Sequence, residues 1–201
     1  MSGTFKIYSD TQCRLKQHDH VIFLLSGKYE IRYNDPRRFG FMLLSNLKKI
    51  RHHHMLYKLG PEPINPNISG PMLEERLKGR SGSIKTVLLN QSVIAGLGNI
   101  YVCESLNLAG VSPKRMAKNV TGQRAEKLAK AIVYILNTAI NVGGSSINDH
   151  KTPEGGLGYF QMQFRVYGKE GYVCSKCSDK FVIKKITQSN RSTFYCSNCQ
   201  R

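Results

Sequence analysis

The sequence predicts an α+β protein: a β-rich opening segment, a helical middle and a C-terminal two-stranded hairpin closed by a metal. Three observations carry that expectation. Up to about Tyr57 the text is a series of short apolar runs separated by turn residues. Between about Gly70 and Gly144 apolar residues recur at spacings of three and four. Near the C-terminus stand two C-x2-C pairs, Cys174/Cys177 and Cys196/Cys199, with eighteen residues between them.

The β-rich part contains HVIFLLS, GKYEIRYND and FGFMLLS, divided by SGK and NDPRR; each run reads as a strand and each divider as a turn. In the helical part, Gly96 and Gly98 precede a helix expected from about Asn99 to near Gly110, with Pro113 beyond it. Leu128, Ile132, Ile135, Leu136, Ala139 and Ile140 form one stripe of a second helix, which Gly143 and Gly144 end. KTPEGGLGYF, residues 151–160, is a Gly-rich loop, and no internal repeat is visible.

Two C-x2-C turns supply four thiolates, and a tetrahedral Zn²⁺ takes four. Such a site leaves no position for water or substrate, so the expected role is structural. FVIKKI and STFY, joined by QSNR, read as the two strands between the pairs. A lone hairpin is marginal in water, so the metal closing its base supplies the fold. The hairpin tip then displays Gln188, Ser189, Asn190 and Arg191, polar groups suited to a phosphate or a base edge.

Lys plus Arg total 30 against 13 Asp plus Glu, a formal charge of +17. That balance points to a polyanionic partner, nucleic acid first. No apolar run approaches the length of a membrane span, which argues against a membrane partner. MSGTFKIYSD has no apolar leader core, so the expected compartment is the cytoplasm, where six cysteines would not form a disulfide framework. Cys13 and Cys103 read as inert thiols. His52, His53 and His54 read as a solvated loop, because three consecutive residues cannot all face one ion in a helix or strand. His18 and His20 flank Asp19 at strand spacing and so share a face. Asn99 has two local readings: a helix N-terminus offering its amides to a phosphate, or an ordinary N-cap.

Four segments together resemble the formamidopyrimidine-DNA glycosylase and endonuclease VIII family, closer to the first branch: NDPRRFG (Asn34–Gly40), LGPEP (Leu59–Pro63), GLGNIYVCESL (Gly96–Leu106) and the hairpin ending NRSTFYCSNCQR. The resemblance runs from Met1 to Arg201. It implies a bifunctional base-excision repair enzyme, with glycosylase and AP lyase activities, that flips an oxidised purine out of double-stranded DNA, cuts its glycosidic bond and nicks the backbone. It implies a partial N-terminal β-sandwich at 1–58, a helix–two-turns–helix DNA-binding domain at 59–150, a flexible loop and connector at 151–168, and a zinc-finger hairpin at 169–201.

By the same resemblance, Asn99 grips phosphates beside the lesion. Arg191 binds phosphate and assists the second elimination step. Arg37 and Phe39 enter the duplex when the base leaves, and Met1 is the third void-filling residue. His18 and Arg80 contact DNA, with Lys85 close to the same phosphates. The segment from Gly155 to Phe160 covers the everted base. The family begins Met-Pro-Glu, the proline amine being the nucleophile and the glutamate its acid/base partner; Met1 here aligns with an internal methionine. The expectation is therefore a DNA-binding portion, a monomer inactive on its own unless a separate N-terminal fragment supplies the proline. The alternatives are a non-catalytic damaged-DNA-binding zinc protein and, further off, a basic zinc ribbon that binds RNA.

Overall fold

A computed structural model describes residues 3–9, 14–64, 68–145, 158–177 and 180–201, with the side chain of Arg51 excepted. Met1, Cys13 and most of the expected loop around Gly155 lie outside them. The chain forms two compact units, Met1–Leu47 with Ala139–Gln163, and Lys48–Thr138 with Phe164–Arg201.

The first unit holds a three-stranded antiparallel sheet, β1 (Thr4–Tyr8), β2 (Asp19–Leu24) and β3 (Glu30–Asn34), in the order β1-β3-β2. Central β3 buries Glu30, Arg32 and Asn34 on one face. These polar groups tolerate burial because they are paired. The Arg32 guanidinium bonds Glu30, lies 3.6 Å from Asp19, stacks 4.2 Å from the centre of the Tyr8 ring and donates to the Arg14 carbonyl at 3.0 Å. Asn34 Nδ2 donates to Asp19 Oδ1 at 2.8 Å and to the Gln17 carbonyl at 2.9 Å. Phe5, Ile7, Phe23 and Leu24 are exposed.

FGFMLLS does not form a strand: residues 39–45 carry no regular structure, and Phe41, Leu43 and Leu44 are exposed. No described strand lies beside the run, and pairing and packing decide whether such a run becomes a strand. His18 likewise falls outside β2, with φ of 73° in the preceding turn. Strand alternation therefore does not relate it to His20, although the two rings come within 6.2 Å.

The second unit is helical, with α1 (Gly70–Leu77), α2 (Ile84–Leu88), α3 (Asn99–Ala109) and the start of α4 (Gly122–Asn141), followed by the hairpin β4 (Ile183–Gln188) and β5 (Arg191–Cys196). Glu126 of α4 accepts from the Gly70 amide at 3.0 Å, and Glu74 of α1 accepts from the Gly122 amide at 2.7 Å. Each helix thus satisfies an orphan N–H at the start of the other. Leu73, Leu77, Ile84, Leu88, Val93, Ile94, Val102, Leu106, Leu128 and Ile132 fill the core. On α4, Leu128, Ile132, Ile135, Leu136 and Ala139 are buried as the stripe predicts, but Ile140 is 61% exposed. At about 100° per residue it sits some 120° round the helix from Leu128, past the edge of the stripe. None of the described helices is long and apolar enough to cross a membrane.

Candidate nucleic-acid interface and metal centre

The LGPEP segment explains how α3 is aimed. Gly60 N donates to the Gln91 carbonyl at 2.8 Å, and Ala95 N to the Pro61 carbonyl at 3.1 Å. A Cβ on Gly60 would stand 2.6 Å from the Val93 carbonyl, so only glycine permits this approach. Gln91 then clasps the next turn: its Nε2 reaches the Leu97 carbonyl at 3.1 Å, and its Oε1 accepts from Gly96 N at 2.8 Å. The clasp leaves Gly98 as the N-cap of α3 and Asn99 as its first helical residue. The N-cap reading of Asn99 is thereby set aside. Its side chain serves the hairpin, with Nδ2 donating to the Ser192 carbonyl at 2.9 Å. Asn99 Oδ1 is buried without a hydrogen-bond partner among the described residues.

The hairpin turn is two residues long, Ser189 and Asn190, with φ of 51° and 56°. Such left-handed pairs match the twist of antiparallel strands, and asparagine tolerates them better than most residues. The turn puts Arg191 opposite Gln188 and exposes its guanidinium. The tip rests on the N-terminal end of α2. Gln188 Nε2 donates to Ser83 Oγ at 3.1 Å and to the Pro113 carbonyl at 3.2 Å, and the hydroxyls of Thr86 and Ser189 lie 3.0 Å apart. Asn99 is thus tied to Ser192, the residue after Arg191, and the two candidate phosphate ligands belong to one assembly. Arg80 lies beyond α1, exposed, its Nε donating to the Arg76 carbonyl at 2.8 Å.

Lys85 of α2 is fully buried beneath this tip, its ammonium 3.4 Å from the Gln188 carbonyl. Burial pulls its pKa below the ordinary value of 10.5, and the positive charge of Arg191 pulls it further. An ammonium held this way is a stability cost. Lys85→Met is expected to stabilise the chain by about 1–3 kcal/mol in urea unfolding. The sign with pH follows. Below the folded pKa both states are protonated and the penalty is full; it fades as pH rises toward the unfolded value. The stability gap between variant and wild type should therefore shrink as pH climbs toward 10.5.

The remaining candidates lie in the first unit. Asp35 accepts from Gly40 N at 2.7 Å and from the Tyr33 hydroxyl at 3.2 Å, which closes the NDPRRFG loop. Arg37 stacks on Phe39 at 4.4 Å from the ring centre, and both are exposed. His53 is half-buried, and His52 and His54 are exposed, on and just beyond a 3-10 turn at Ile50–His52.

The four clustered cysteines converge. Their sulfurs all lie within 4.8 Å of one another, with Cys174 Sγ to Cys199 Sγ at 3.8 Å and Cys177 Sγ to Cys196 Sγ at 3.7 Å. A tetrahedral ion with metal–sulfur bonds near 2.3 Å requires a sulfur–sulfur edge of about 3.8 Å. The set therefore fits a tetrathiolate metal site. Burial opposes ionisation of Cys196, but the backbone groups of Cys199 and Asn198 bring its pKa down to about 7. Cys103, packed in the same cluster, is pushed up to about 11 by burial and reads as an inert thiol.

Sequence reasoning missed the groups that join hairpin, connector and α3. Gln200 is buried, its Oε1 accepting from Cys196 N at 2.9 Å and Asn107 Nδ2 at 3.0 Å, its Nε2 donating to the Val111 carbonyl at 3.0 Å. Glu104 is fully buried on α3 and accepts from the amides of Arg165, Val166 and Tyr167 at 2.8, 3.0 and 2.8 Å. Tyr167 also brings its hydroxyl to 3.4 Å from Asn99 Nδ2 and packs edge-on against Phe194. The available signal was a lone glutamate inside an otherwise apolar helical run, YVCESL.

Residues 1–42 match the N-terminal domain of formamidopyrimidine-DNA glycosylase, and residues 59–151 match its H2TH domain. A formamidopyrimidine-DNA glycosylase of Beijerinckia indica is 44% identical over 213 residues, an alignment covering all of this chain and 74% of that protein. The chain belongs to the formamidopyrimidine-DNA glycosylase family. The enzyme of that name from Ruegeria pomeroyi is 46% identical, over 92% of this chain and 66% of its own length. Among solved structures, a Lactococcus lactis FPG mutant in complex with Fapy-dG-containing DNA matches with a TM-score of 0.90 at 32% identity, over all of this chain and 72% of that one. MutM in complex with carbocyclic 8-oxo-G DNA matches at 0.88 and 34%, with the same coverage. The fold is that of the glycosylase family, with N-terminal, H2TH and C-terminal cysteine-cluster regions.

Proposed function

We propose that this chain is the DNA-gripping portion of a base-excision glycosylase/AP lyase for oxidised purines, and that its 201 residues alone bind damaged duplex without cutting it. The carrying observation is the Asn99–Ser192–Arg191 assembly, which holds a helix N-terminus and an exposed guanidinium together over a thiolate-anchored hairpin. Solved relatives of this fold hold Fapy-dG, carbocyclic 8-oxo-G or abasic-site DNA. The metal is assigned as zinc, the usual ion of a four-thiolate structural site. Arg37 stacked on Phe39 is read, with Met1, as the group that fills the void when a base leaves, and His18 and Arg80 as flanking contacts.

Cutting requires an amine that can attack the sugar carbon. Arg191 is permanently protonated. Among the described residues, two lysines have lowered pKa values: Lys85 is fully buried, and Lys176 is held by the carbonyls of Asn107 and Leu108. The exposed Phe5, Ile7 and Phe23 favour a further β segment that covers the sheet and brings the nucleophile.

Borohydride trapping and binding on one duplex, carrying 8-oxoguanine or an abasic site, test both parts. The expected result is salt-dependent binding that prefers the damaged duplex, with no covalent adduct. Asn99→Ala should weaken it by about tenfold or more, because the bond to the Ser192 carbonyl that sets Arg191 beside the helix N-terminus is lost. A trapped adduct with this chain alone would overturn the non-cutting reading, and equal affinity for undamaged duplex would overturn the lesion-binding one.

A further inference from the structure

A concave surface lies at the opposite end of α3 from Asn99. Its cavity of about 280 Å³ is lined by Leu108 and Ala109 of α3 and by Lys127, Lys130, Ala131 and Tyr134 of α4. Lys127, Lys130 and Tyr134 follow helical spacing and share one exposed face of α4. The floor between them is aliphatic. Lys127 has no ion pair among the described residues, and Lys130 pairs at 3.2 Å with Glu126 while 77% exposed, which leaves its charge largely available. A third ammonium, Lys176, is held by the carbonyls of Asn107 and Leu108 at 2.8 and 2.9 Å, and Leu108 lines the cavity. The groove is therefore an apolar floor under a fixed positive field.

We propose that this groove docks a short acidic peptide of a partner protein. One apolar side chain seats among Leu108, Ala131 and Tyr134, and neighbouring carboxylates pair with Lys127 and Lys130. The cavity is below the about 300–1,000 Å³ of pockets that enclose small molecules, and suits a side chain or two. A single aromatic ring, Tyr134, gives no run of rings for successive bases to stack on, which favours a peptide over single-stranded nucleic acid. Eleven helical residues rise about 16 Å, so a peptide here stays clear of the Asn99 end and can be held while that end is engaged.

The test uses the full metal-loaded chain and a fluorescein-labelled peptide, Asp-Asp-Asp-Glu-Leu-Phe. A control peptide ends in Gly-Gly in place of Leu-Phe, and a labelled oligothymidylate of similar charge serves as the nucleic-acid arm. Saturable polarisation is expected for the first peptide, with the Gly-Gly control weaker by about tenfold. The double variant Lys127→Glu, Lys130→Glu should weaken the peptide by about tenfold or more, and Tyr134→Ser should weaken it while keeping the charges. Both variants should melt and bind duplex DNA as the parent does. The proposal fails if binding does not saturate, if the Gly-Gly control binds equally, if the variants leave affinity unchanged, or if oligothymidylate binds more tightly than the peptide at these lysines.

Discussion

Removing the metal from the four-cysteine site is expected to weaken DNA binding severely and leave the helical core folded. The two parts of the second unit rest on different supports. The helical core is an apolar cluster in which Leu73, Leu88, Ile94, Leu106, Leu128 and Ile132 are fully buried, and none of its members is a metal ligand. The hairpin cluster has Cys103, Val166, Cys174, Ile183, Phe194 and Cys196, and two of these belong to the four-cysteine set that fits a metal. Two strands alone are marginal, while binding of a structural zinc contributes about 10–16 kcal/mol to such folds. Once the thiolates are released, the β4–β5 register dissolves, Ser192 leaves Asn99, and Arg191 loses its place. Titration with a chelator should release one metal ion per chain, keep most of the far-UV helical signal, and weaken damaged-duplex binding by about a hundredfold or more. Cys199→Ser should act the same way in part. A metal-free chain that still binds DNA at full strength would show that the hairpin does not present the phosphate ligands.

What was legible in the sequence was what depends on spacing. Two C-x2-C pairs imply convergent sulfurs wherever the hairpin lies, and the helix expected from Asn99 runs Asn99–Ala109 because glycines bound it at both ends. What was not legible depends on partners distant in the chain. FGFMLLS has the composition of a strand and no described neighbour to make it one. In EIRYN, Glu30, Arg32 and Asn34 alternate as a solvent face would, yet they are the buried face, because Asp19, Tyr8 and the carbonyls of Arg14 and Gln17 meet them there. Asn99 showed the same limit: local pattern left phosphate ligand and N-cap equal, and only the Ser192 carbonyl reveals that its amide belongs to the hairpin.

Glu104→Ala is expected to be the most damaging substitution in the chain outside the metal ligands, at about 3–5 kcal/mol. The carboxylate is fully buried on α3, and its two oxygens accept three successive amides of the connector, Arg165, Val166 and Tyr167. Hydrogen bonds to an ionised acceptor are about twice as strong as neutral ones. Alanine leaves all three donors without that acceptor, and a buried donor left unpaired costs about 1–3 kcal/mol. Glu104→Gln is the informative companion. One side-chain oxygen remains to accept, while the new NH₂ faces an amide, so the loss should fall between parent and alanine. Urea unfolding measures both losses, and hydrogen exchange at the amides of residues 165–167 should accelerate well beyond that of the α4 core. Because Tyr167 stands beside Asn99, glutamine should also weaken damaged-duplex binding in protein that is still folded. A loss below about 1 kcal/mol for alanine, the range of an ordinary solvent-exposed bond, would mean that water takes the carboxylate's place and that the connector is held by the packing of Phe164, Tyr167 and Phe194 instead.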